Sequence, residues 1–240
     1  MAALLELRQV CKTFGGLRAN WNVSFGVQRN GILGLIGPNG AGKTTLFSCI
    51  TGYYPPSAGD VVFDGKRING LRPDEVCRLG MVRTWQKVRP LPKLTVLDNV
   101  MVGALLRTWS LRRARSVAEE QLAAVGLDKQ AGMLAGALPV GQRKRLEVAR
   151  ALATQPSLVL LDEVMGGLNP AESNEMIALI LSLKTRGLTL VVIEHDMRAI
   201  MAVSDRVVVL NSGEMLAEGS PREIADHPAV ISAYLGEKVE

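Results

Sequence analysis

The glycine-rich stretch at residues 37–45 carries the residue types that bind phosphate groups. Its sequence, GPNGAGKTT, fits the pattern G-x-x-x-x-G-K-[ST]. An apolar run at residues 32–36 precedes it and an apolar-periodic run at residues 45–50 follows, which predicts a strand, a loop and a helix. In that arrangement the N–H groups of the loop and the N-terminus of the helix face an anion. We expect Lys43 to reach the β and γ phosphates and the hydroxyl of Thr44 to hold Mg²⁺.

Two carboxylates and a histidine follow two other apolar runs. Asp162 and Glu163 come directly after the run at 158–161, and His195 closely follows the run at 189–193. Ligands of open parallel sheets bind beyond the carboxyl ends of the strands, so we expect these side chains beside the phosphate loop. Asp162 is the predicted Mg²⁺ carboxylate, and Glu163 is placed to polarise a water toward the γ-phosphate. A single histidine is more often structural. Because a phosphate loop and an acidic pair are also present, His195 is predicted to sense the γ-phosphate or to orient that water.

The elements that must position these residues are predicted from apolar periodicity. Strands are indicated at residues 4–10, 21–28, 61–63, 81–84, 157–161, 189–193, 206–210 and 214–217. Helices are indicated at residues 71–79, 95–109, 111–125, 141–153, 170–186, 197–203, 221–225 and 228–235. We therefore predict one domain over residues 1–240, with a helical subdomain at 87–155 inserted into a nucleotide-binding core of residues 1–86 and 156–240.

Composition restricts the class of protein without choosing a partner. The chain is 48% hydrophobic with a net charge of +5, which suits an anionic ligand, a nucleic acid or an anionic membrane surface. Its three cysteines are widely spaced, which predicts reduced thiols in a cytosolic protein. No apolar run approaches the ~20 residues that span a bilayer, so we expect a soluble or peripheral protein.

Phe14 stands on a predicted loop before the nucleotide strand, in the sequence Phe14-Gly15-Gly16. An aromatic side chain there could stack on a purine ring, a contact worth ~1–3 kcal/mol. Spacing alone supports equally well an aromatic side chain that is tucked against the sheet.

Six stretches that occur in a fixed order carry a family resemblance. They are GPNGAGKTT, Gln86, LPVGQRKRLEVARAL, LVLLDE, GGLNP and EHD. Together they resemble the ATP-binding subunits of ABC transporters over nearly the whole chain. The stretches ITGYYPP, RTWQKVRPLPKLTVLDNVMVG and VISAYLGE are similar to those of the branched-chain amino acid importers. The ATPase of a lipopolysaccharide exporter shares the same features.

The resemblance implies a fold and a set of site residues. The fold class is α/β, a P-loop NTPase core of the RecA-like type with an antiparallel β subdomain and an inserted α-helical subdomain. The implied activity is ATP hydrolysis with Mg²⁺. The implied contacts of the bound ATP are Phe14 on the adenine, the loop residues Gly37, Pro38, Asn39, Gly40, Ala41, Gly42, Lys43, Thr44 and Thr45, and Gln86. The metal set is Thr44, Gln86 and Asp162, and the catalytic pair is Glu163 and the switch histidine His195.

Two further stretches correspond to parts of the family that act across a dimer. Residues Leu138, Pro139, Val140, Gly141 and Gln142 take the place of the signature that contacts the ATP of a partner subunit. Leu168 and Asn169 take the place of the D-loop. The signature departs from the family because Pro139 replaces its serine and Val140 its first glycine. We therefore expect nucleotide binding to survive, and the closed dimer and the turnover rate to be weakened.

The resemblance also implies partners and leaves alternatives open. It implies a homodimer or a heterodimer with a second ABC ATPase, transmembrane permease subunits, and a periplasmic substrate-binding protein if the complex imports. It places the chain peripherally on the cytoplasmic face of the inner membrane. We expect the permease-docking surface in residues 87–135, because the helical insertion begins just after Gln86. No nucleic acid is expected. The alternatives are a lipopolysaccharide-type exporter ATPase, a non-transport ABC ATPase acting on nucleic acid, and a small-molecule P-loop kinase.

Overall fold

The structure is a computed structural model and describes residues 3–85 and 90–235. Gln86, which the resemblance assigns to the metal set, lies outside the described residues together with 87–89.

Two sheets form the framework of the described chain. The strands are β1 (Leu5–Phe14), β2 (Leu17–Val27), β3 (Ile32–Ile36), β4 (Ala58–Phe63), β5 (Lys66–Arg67), β6 (Met81–Arg83), β7 (Leu158–Asp162), β8 (Thr189–Ile193), β9 (Arg206–Asn211) and β10 (Glu214–Gly219). The first sheet has the order β2-β1-β4-β5 and is antiparallel. The second has the order β10-β9-β3-β8-β7-β6, in which all neighbours are parallel except β10 and β9. The predicted α/β fold class is confirmed.

Helices surround the second sheet. They are α1 (Lys43–Ile50), α2 (Pro73–Leu79), α3 (Val96–Ala104), α4 (Leu111–Val125), α5 (Val140–Leu152), α6 (Pro170–Thr185), α7 (Met197–Val203), α8 (Pro221–Ala225) and α9 (Pro228–Leu235). Within the described part, none is long and apolar enough to cross a bilayer. Helix α3 is shorter than the helix predicted over 95–109. Between residues 105 and 109 no large apolar side chain is fully buried, since Leu105 and Trp109 are exposed and Leu106 is half-buried. Burial therefore does not support another helical turn there.

The apolar runs became strands that are buried on both faces. Every position of β3, β7 and β8 is buried, as continuous apolar strands of a parallel sheet require. Alternate residues of these strands face two separate apolar cores. One core contains α1 and the antiparallel sheet, and the other contains α3 to α7. The sheet is therefore covered on both sides, which leaves the ends of its strands for polar side chains.

Local turn chemistry also follows the sequence. The hairpin between β4 and β5 turns at Asp64 and Gly65, which both have positive φ. This backbone matches the two-residue turns that Asp-Gly favours. Between β6 and β7 the chain forms α3, α4 and α5, which pack on one another.

Candidate active site

The loop between β3 and α1 is shaped by glycines that no other residue could replace without strain. Gly42 has φ +94°, and a Cβ there would lie 2.4 Å from the carbonyl oxygen of Ala19. A Cβ on Gly37 would lie 2.1 Å from the carbonyl oxygen of Leu210. The N-cap of α1 is Gly42, which has no side chain that could make a capping hydrogen bond. A helix N-terminus that follows such a loop is suited to binding an anion.

Lys43 is folded back into this loop. Its Nζ donates to the carbonyl oxygens of Gly37 at 2.6 Å and Pro38 at 3.0 Å. The side chain is nearly buried, because the residue is only 6% exposed. An ammonium group in this position can exchange carbonyl partners for phosphate oxygens, which make stronger, charge-assisted hydrogen bonds.

A cleft of about 400 Å³ unites the loop with two of the other predicted residues. It is lined by Leu17, Arg18, Ala19, Asn39, Gly40, Ala41, Gly42, Lys43, Thr44, Thr45, Glu163 and His195. Gly37 and Pro38 belong to the same loop but do not line the cleft. The strand order β3-β8-β7 explains the meeting, because the carboxyl ends of these neighbours lie at one edge of the sheet.

Glu163 and His195 are in direct contact at this edge. Nε2 of His195 lies 2.7 Å from Oε1 of Glu163. Glu163 has φ +51°, in the left-handed region that non-glycine residues rarely adopt. Its N–H donates to the carbonyl oxygen of Ile193 at 2.9 Å, which ties the end of β7 to β8. The pair can orient a water and accept a proton from it, which is the work of a general base.

Asp162 lies deeper and fits the requirements of a divalent cation. It is 1% exposed, and its Oδ2 accepts a hydrogen bond from Arg83 at 2.6 Å. Its Oδ1 is buried and has no hydrogen-bond partner among the described residues. Burial raises the pKa of Asp162, and the hydrogen bond and charge of Arg83 oppose that rise. A buried carboxylate oxygen without a partner is a suitable ligand for Mg²⁺.

Comparison with known proteins agrees with this geometry. The family model described as ABC transporter matches residues 21–166, which include the phosphate loop, Asp162 and Glu163. The chain belongs to the ABC transporter family. It is an ATP-binding subunit with ATPase activity, and it works with permease partners. A second model, described as branched-chain amino acid ATP-binding cassette transporter, matches residues 214–240.

Individual relatives align over almost the whole ABC cassette. The high-affinity branched-chain amino acid transport ATP-binding protein LivG of Salmonella typhimurium is 42% identical, covering 98% of each chain. A solved ATP-binding cassette of an ABC transporter in its ADP conformation superposes with a TM-score of 0.90 at 31% identity, covering 99% of this chain and 100% of that one. A dimeric bacterial ABC transporter cassette gives a TM-score of 0.82 at 28% identity, covering 91% and 99%.

Phe14 does not line the cleft of this ABC cassette. Its ring packs edge-on against Tyr54, with centroids 5.2 Å apart, and the Nζ of Lys12 lies 4.9 Å from its centroid. Stacking of Phe14 on adenine therefore stays a prediction. Leu17 and Arg18, which the sequence analysis did not select, do line the cleft. Their position just after the Gly15-Gly16 turn is the signal that could have found them.

The stretch predicted to be the signature, residues 138–142, lies at a different surface from the cleft. Pro139 is the N-cap of α5, and Gly141 and Gln142 line a cavity with Leu168 and Glu172. Among the residues that the structure describes, none lines both this cavity and the cleft. Pro139 and Val140 are exposed and Leu138 is buried.

Asn169 has an observed local role that is independent of the D-loop assignment. It caps α6, because its Oδ1 accepts the N–H of Glu172 at 2.9 Å and its own N–H donates to the Glu172 carboxylate at 3.0 Å. This reciprocal pair is a capping box of the kind that fixes a helix start.

Three buried charged residues behind the cleft were missed by sequence reasoning. Lys144, Glu147 and Glu194 are 6%, 5% and 4% exposed. Burial lowers the pKa of Lys144, although Glu194, Glu147 and Glu163 oppose this. Burial raises the pKa of Glu147, and it raises the pKa of Glu194 to about 7. In the sequence, Lys144 and Glu147 resemble ordinary charges of a helix surface.

Proposed function

We propose that this chain is the ATP-hydrolysing subunit of an importer of branched-chain amino acids. The observation that carries the catalytic part is the cleft, which joins the phosphate loop to Glu163 and His195. The cargo is supported by the second family model at residues 214–240 and by the name of the Salmonella relative.

In the proposed reaction Glu163 acts as general base toward the water that attacks the γ-phosphate. In the tautomer with its proton on Nε2, His195 donates to Oε1 of Glu163 across 2.7 Å and keeps the carboxylate oriented. The adjacent loop contributes Lys43 and the first N–H groups of α1, which bind the phosphate oxygens. Residues 37–45 therefore hold ATP, and Glu163 supplies the step that consumes it.

The proposed cation site uses Thr44, Asp162 and Gln86. Mg²⁺ bound there would neutralise part of the negative charge on the β and γ phosphates. The support for Asp162 is its buried Oδ1, which lacks a hydrogen-bond partner among the described residues. Arg83 holds the other oxygen of this carboxylate and so fixes its direction.

The proposed working unit is a head-to-tail dimer, either of two copies or of this chain with a similar one. In it the signature at 138–142 of each subunit covers the ATP in the other subunit's cleft, and the D-loop residues Leu168 and Asn169 lie at the same interface. The separation of the two surfaces within one chain supports this arrangement, as does the dimeric state of a related cassette. Tighter ATP binding in the closed state than in the open state is what drives the permease.

The remaining proposals concern the neighbours of the dimer. We place the chain on the cytoplasmic face of the inner membrane, with permease subunits docked on residues 87–135 and a periplasmic protein that delivers the amino acid. The helical subdomain at 87–155 would transmit movement at the γ-phosphate as a rotation of one body. The core would comprise residues 1–86 and 156–240.

The test uses the complete transporter in vesicles, with the binding protein added on the substrate side. We expect ATP hydrolysis that rises when the binding protein is loaded with leucine, and only a small residual rate, lowered by ~10²–10⁴-fold, with the Glu163→Gln subunit. A complex that hydrolyses no ATP would contradict the proposed function. Hydrolysis that leucine, isoleucine and valine all leave unchanged would contradict only the cargo.

A further inference from the structure

Three buried charged side chains, Lys144, Glu147 and Glu194, bond to the backbone of the loops that carry the site. The Nζ of Lys144 donates to the carbonyl oxygen of Glu163 at 2.6 Å. Oε1 of Glu147 accepts a hydrogen bond from the N–H of Trp85 at 2.6 Å, and Oε1 of Glu194 accepts one from the N–H of Met165 at 2.6 Å. Buried charges are retained in proteins when such partners compensate their lost hydration.

Lys144 acts on the residue whose backbone most needs support. The positive φ of Glu163 is unfavourable for a residue with a side chain, so the surrounding structure must hold it. Its N–H is held by the carbonyl of Ile193, and its carbonyl accepts from both Lys144 and the N–H of Gly166, the latter at 3.3 Å. Ile193 and Gly166 lie at the strand ends or in the loop that follows them. Of these three hydrogen-bond partners, Lys144 alone lies on α5.

Helix α5 connects Lys144 to the signature. The helix begins at Val140 directly after Pro139, so Lys144 stands about one turn from the signature residues. Lys144 and Glu147 are three residues apart and so share a face of α5, which is turned toward the cleft loops. A shift of the start of α5 would therefore change the hold on Glu163.

We propose that Lys144 is a positioning residue for Glu163, and that it couples the two ATP sites of the dimer through the inside of each chain. This rests on the proposed function, in which the signature of one chain touches the ATP of the other. When the signature docks on the partner's ATP, α5 is fixed and Lys144 holds Glu163 in position over the chain's own ATP. When the signature is undocked, Glu163 is held less firmly and hydrolysis in its cleft is slower.

The test is a double-mutant cycle on ATP turnover by the whole transporter, with turnover divided by the number of bound nucleotides. Lys144→Met keeps the length of the side chain but removes the donor. We expect it to lower turnover about 10- to 100-fold and to change the affinity for a fluorescent ATP analogue less than about threefold, because positioning of the base affects the transition state. In the Glu163→Gln background the same change should lower the residual rate less than about twofold.

The controls separate positioning from a general loss of structure. Lys66→Met removes an exposed lysine outside the cleft, the signature and the proposed docking stretch, and should leave turnover unchanged. If Lys144→Met fails to bind nucleotide, the cycle is repeated with Lys144→Gln, a smaller change that keeps an uncharged donor. An equal loss in both backgrounds, or no loss with Glu163 intact, would overturn the proposal. A wild-type transporter without ATP turnover would instead refute the proposed function.

Discussion

The cleft around the phosphate loop and the surface at the start of α5 are built in opposite ways. In the cleft, the ends of three neighbouring strands bring the loop, Glu163 and His195 together within one chain. At α5, Gly141 and Gln142 lie beside Leu168 and Glu172, and none of these residues lines the cleft. One chain therefore carries two separate surfaces, and we propose that they are the two halves of an ATP site, with the catalytic residues on one and the signature on the other.

The two halves also differ in how their residues are held. Every position of β3, β7 and β8 is buried, so the cleft residues stand on a rigid base. In the predicted signature, Pro139 and Val140 are exposed, and the N-cap Pro139 makes no side-chain capping hydrogen bond to α5. We therefore expect changes in the cleft to affect chemistry, and changes in the signature to affect association.

The largest effect is expected at the catalytic carboxylate. Glu163→Gln should lower turnover by ~10²–10⁴-fold, because loss of a general base ordinarily costs that much. Its affinity for a fluorescent ATP analogue should stay unchanged, and an ATP-bound dimer should accumulate. Glu214→Gln, which alters an exposed carboxylate on β10, is the control. Turnover within about threefold of wild type would contradict the role of Glu163.

The raised pKa of Glu194 predicts that the free energy of unfolding depends on pH. Its pKa is raised from 4.5 to about 7 in the folded chain. The folded state therefore binds more protons between these values, and stability is lost as the pH rises through them. At 1.36 kcal/mol per pH unit the loss is about 3 kcal/mol.

Glu194→Gln cannot ionise, so it should escape this loss. Between about pH 4.5 and about pH 8, its free energy of unfolding should gain about 3 kcal/mol relative to wild type. Urea denaturation at each pH measures this difference. Glu120→Gln, at an exposed position, should show no such gain. A difference in the free energy of unfolding that does not change with pH would show that folding does not raise the pKa of Glu194.

Replacement of Lys43 tests whether the cleft binds nucleotide. Lys43→Ala removes a charged donor to phosphate, a hydrogen bond worth ~1.5–3 kcal/mol, so nucleotide affinity should fall about 10- to 150-fold. Titration with the fluorescent ATP analogue measures it, and Lys66→Ala, at an exposed lysine, is the matched control. An affinity equal to that of wild type would refute the assigned contact.

Replacement of Pro139 tests the predicted signature, and the expected effect, on the dimer constant, is the smallest of the four. Pro139→Ser supplies a hydroxyl and an N–H that the signature lacks. In the Glu163→Gln background it should tighten the Mg-ATP-dependent dimer about tenfold, the lower limit for one hydrogen bond to a charged group. Analytical ultracentrifugation measures the dimer constant. Pro73→Ser, at the exposed first residue of α2, should leave it unchanged.

A dimer constant that Pro139→Ser leaves the same or weakens would place the missing contact elsewhere. A partner subunit with a complete signature would then be the better explanation of how the dimer closes.

Apolar periodicity and turn residues predicted much of the fold, because the strands, helices and turns depend mainly on the order of neighbouring residues. The apolar run at 158–161 became the buried strand β7, and Asp162 and Glu163 stand at its carboxyl end as expected. The long-range pairs could not be predicted in this way. Arg83 meets Asp162 across 79 positions, and Lys144 meets Glu163 through the packing of α5 on the sheet. Charge in a sequence does not tell which face of a helix the fold will bury.

Crosslinking tests most directly whether the cleft of one chain and the signature of another meet in a dimer. Asn39 lies in the exposed part of the loop and Val140 in the signature is 55% exposed, so each can be replaced by cysteine. Both variants are made in a Glu163→Gln, Cys77→Ser background, in which the remaining native cysteines, Cys11 and Cys49, are buried. A short bis-maleimide is added to each variant alone and to their mixture.

We predict a crosslinked dimer only in the mixture of Asn39→Cys and Val140→Cys chains, and only with Mg-ATP. The background protein without engineered cysteines should give no crosslink. A mixture that stays uncrosslinked with Mg-ATP, or equal crosslinking within each variant alone, would contradict the claim that the signature of one chain closes over the cleft of another.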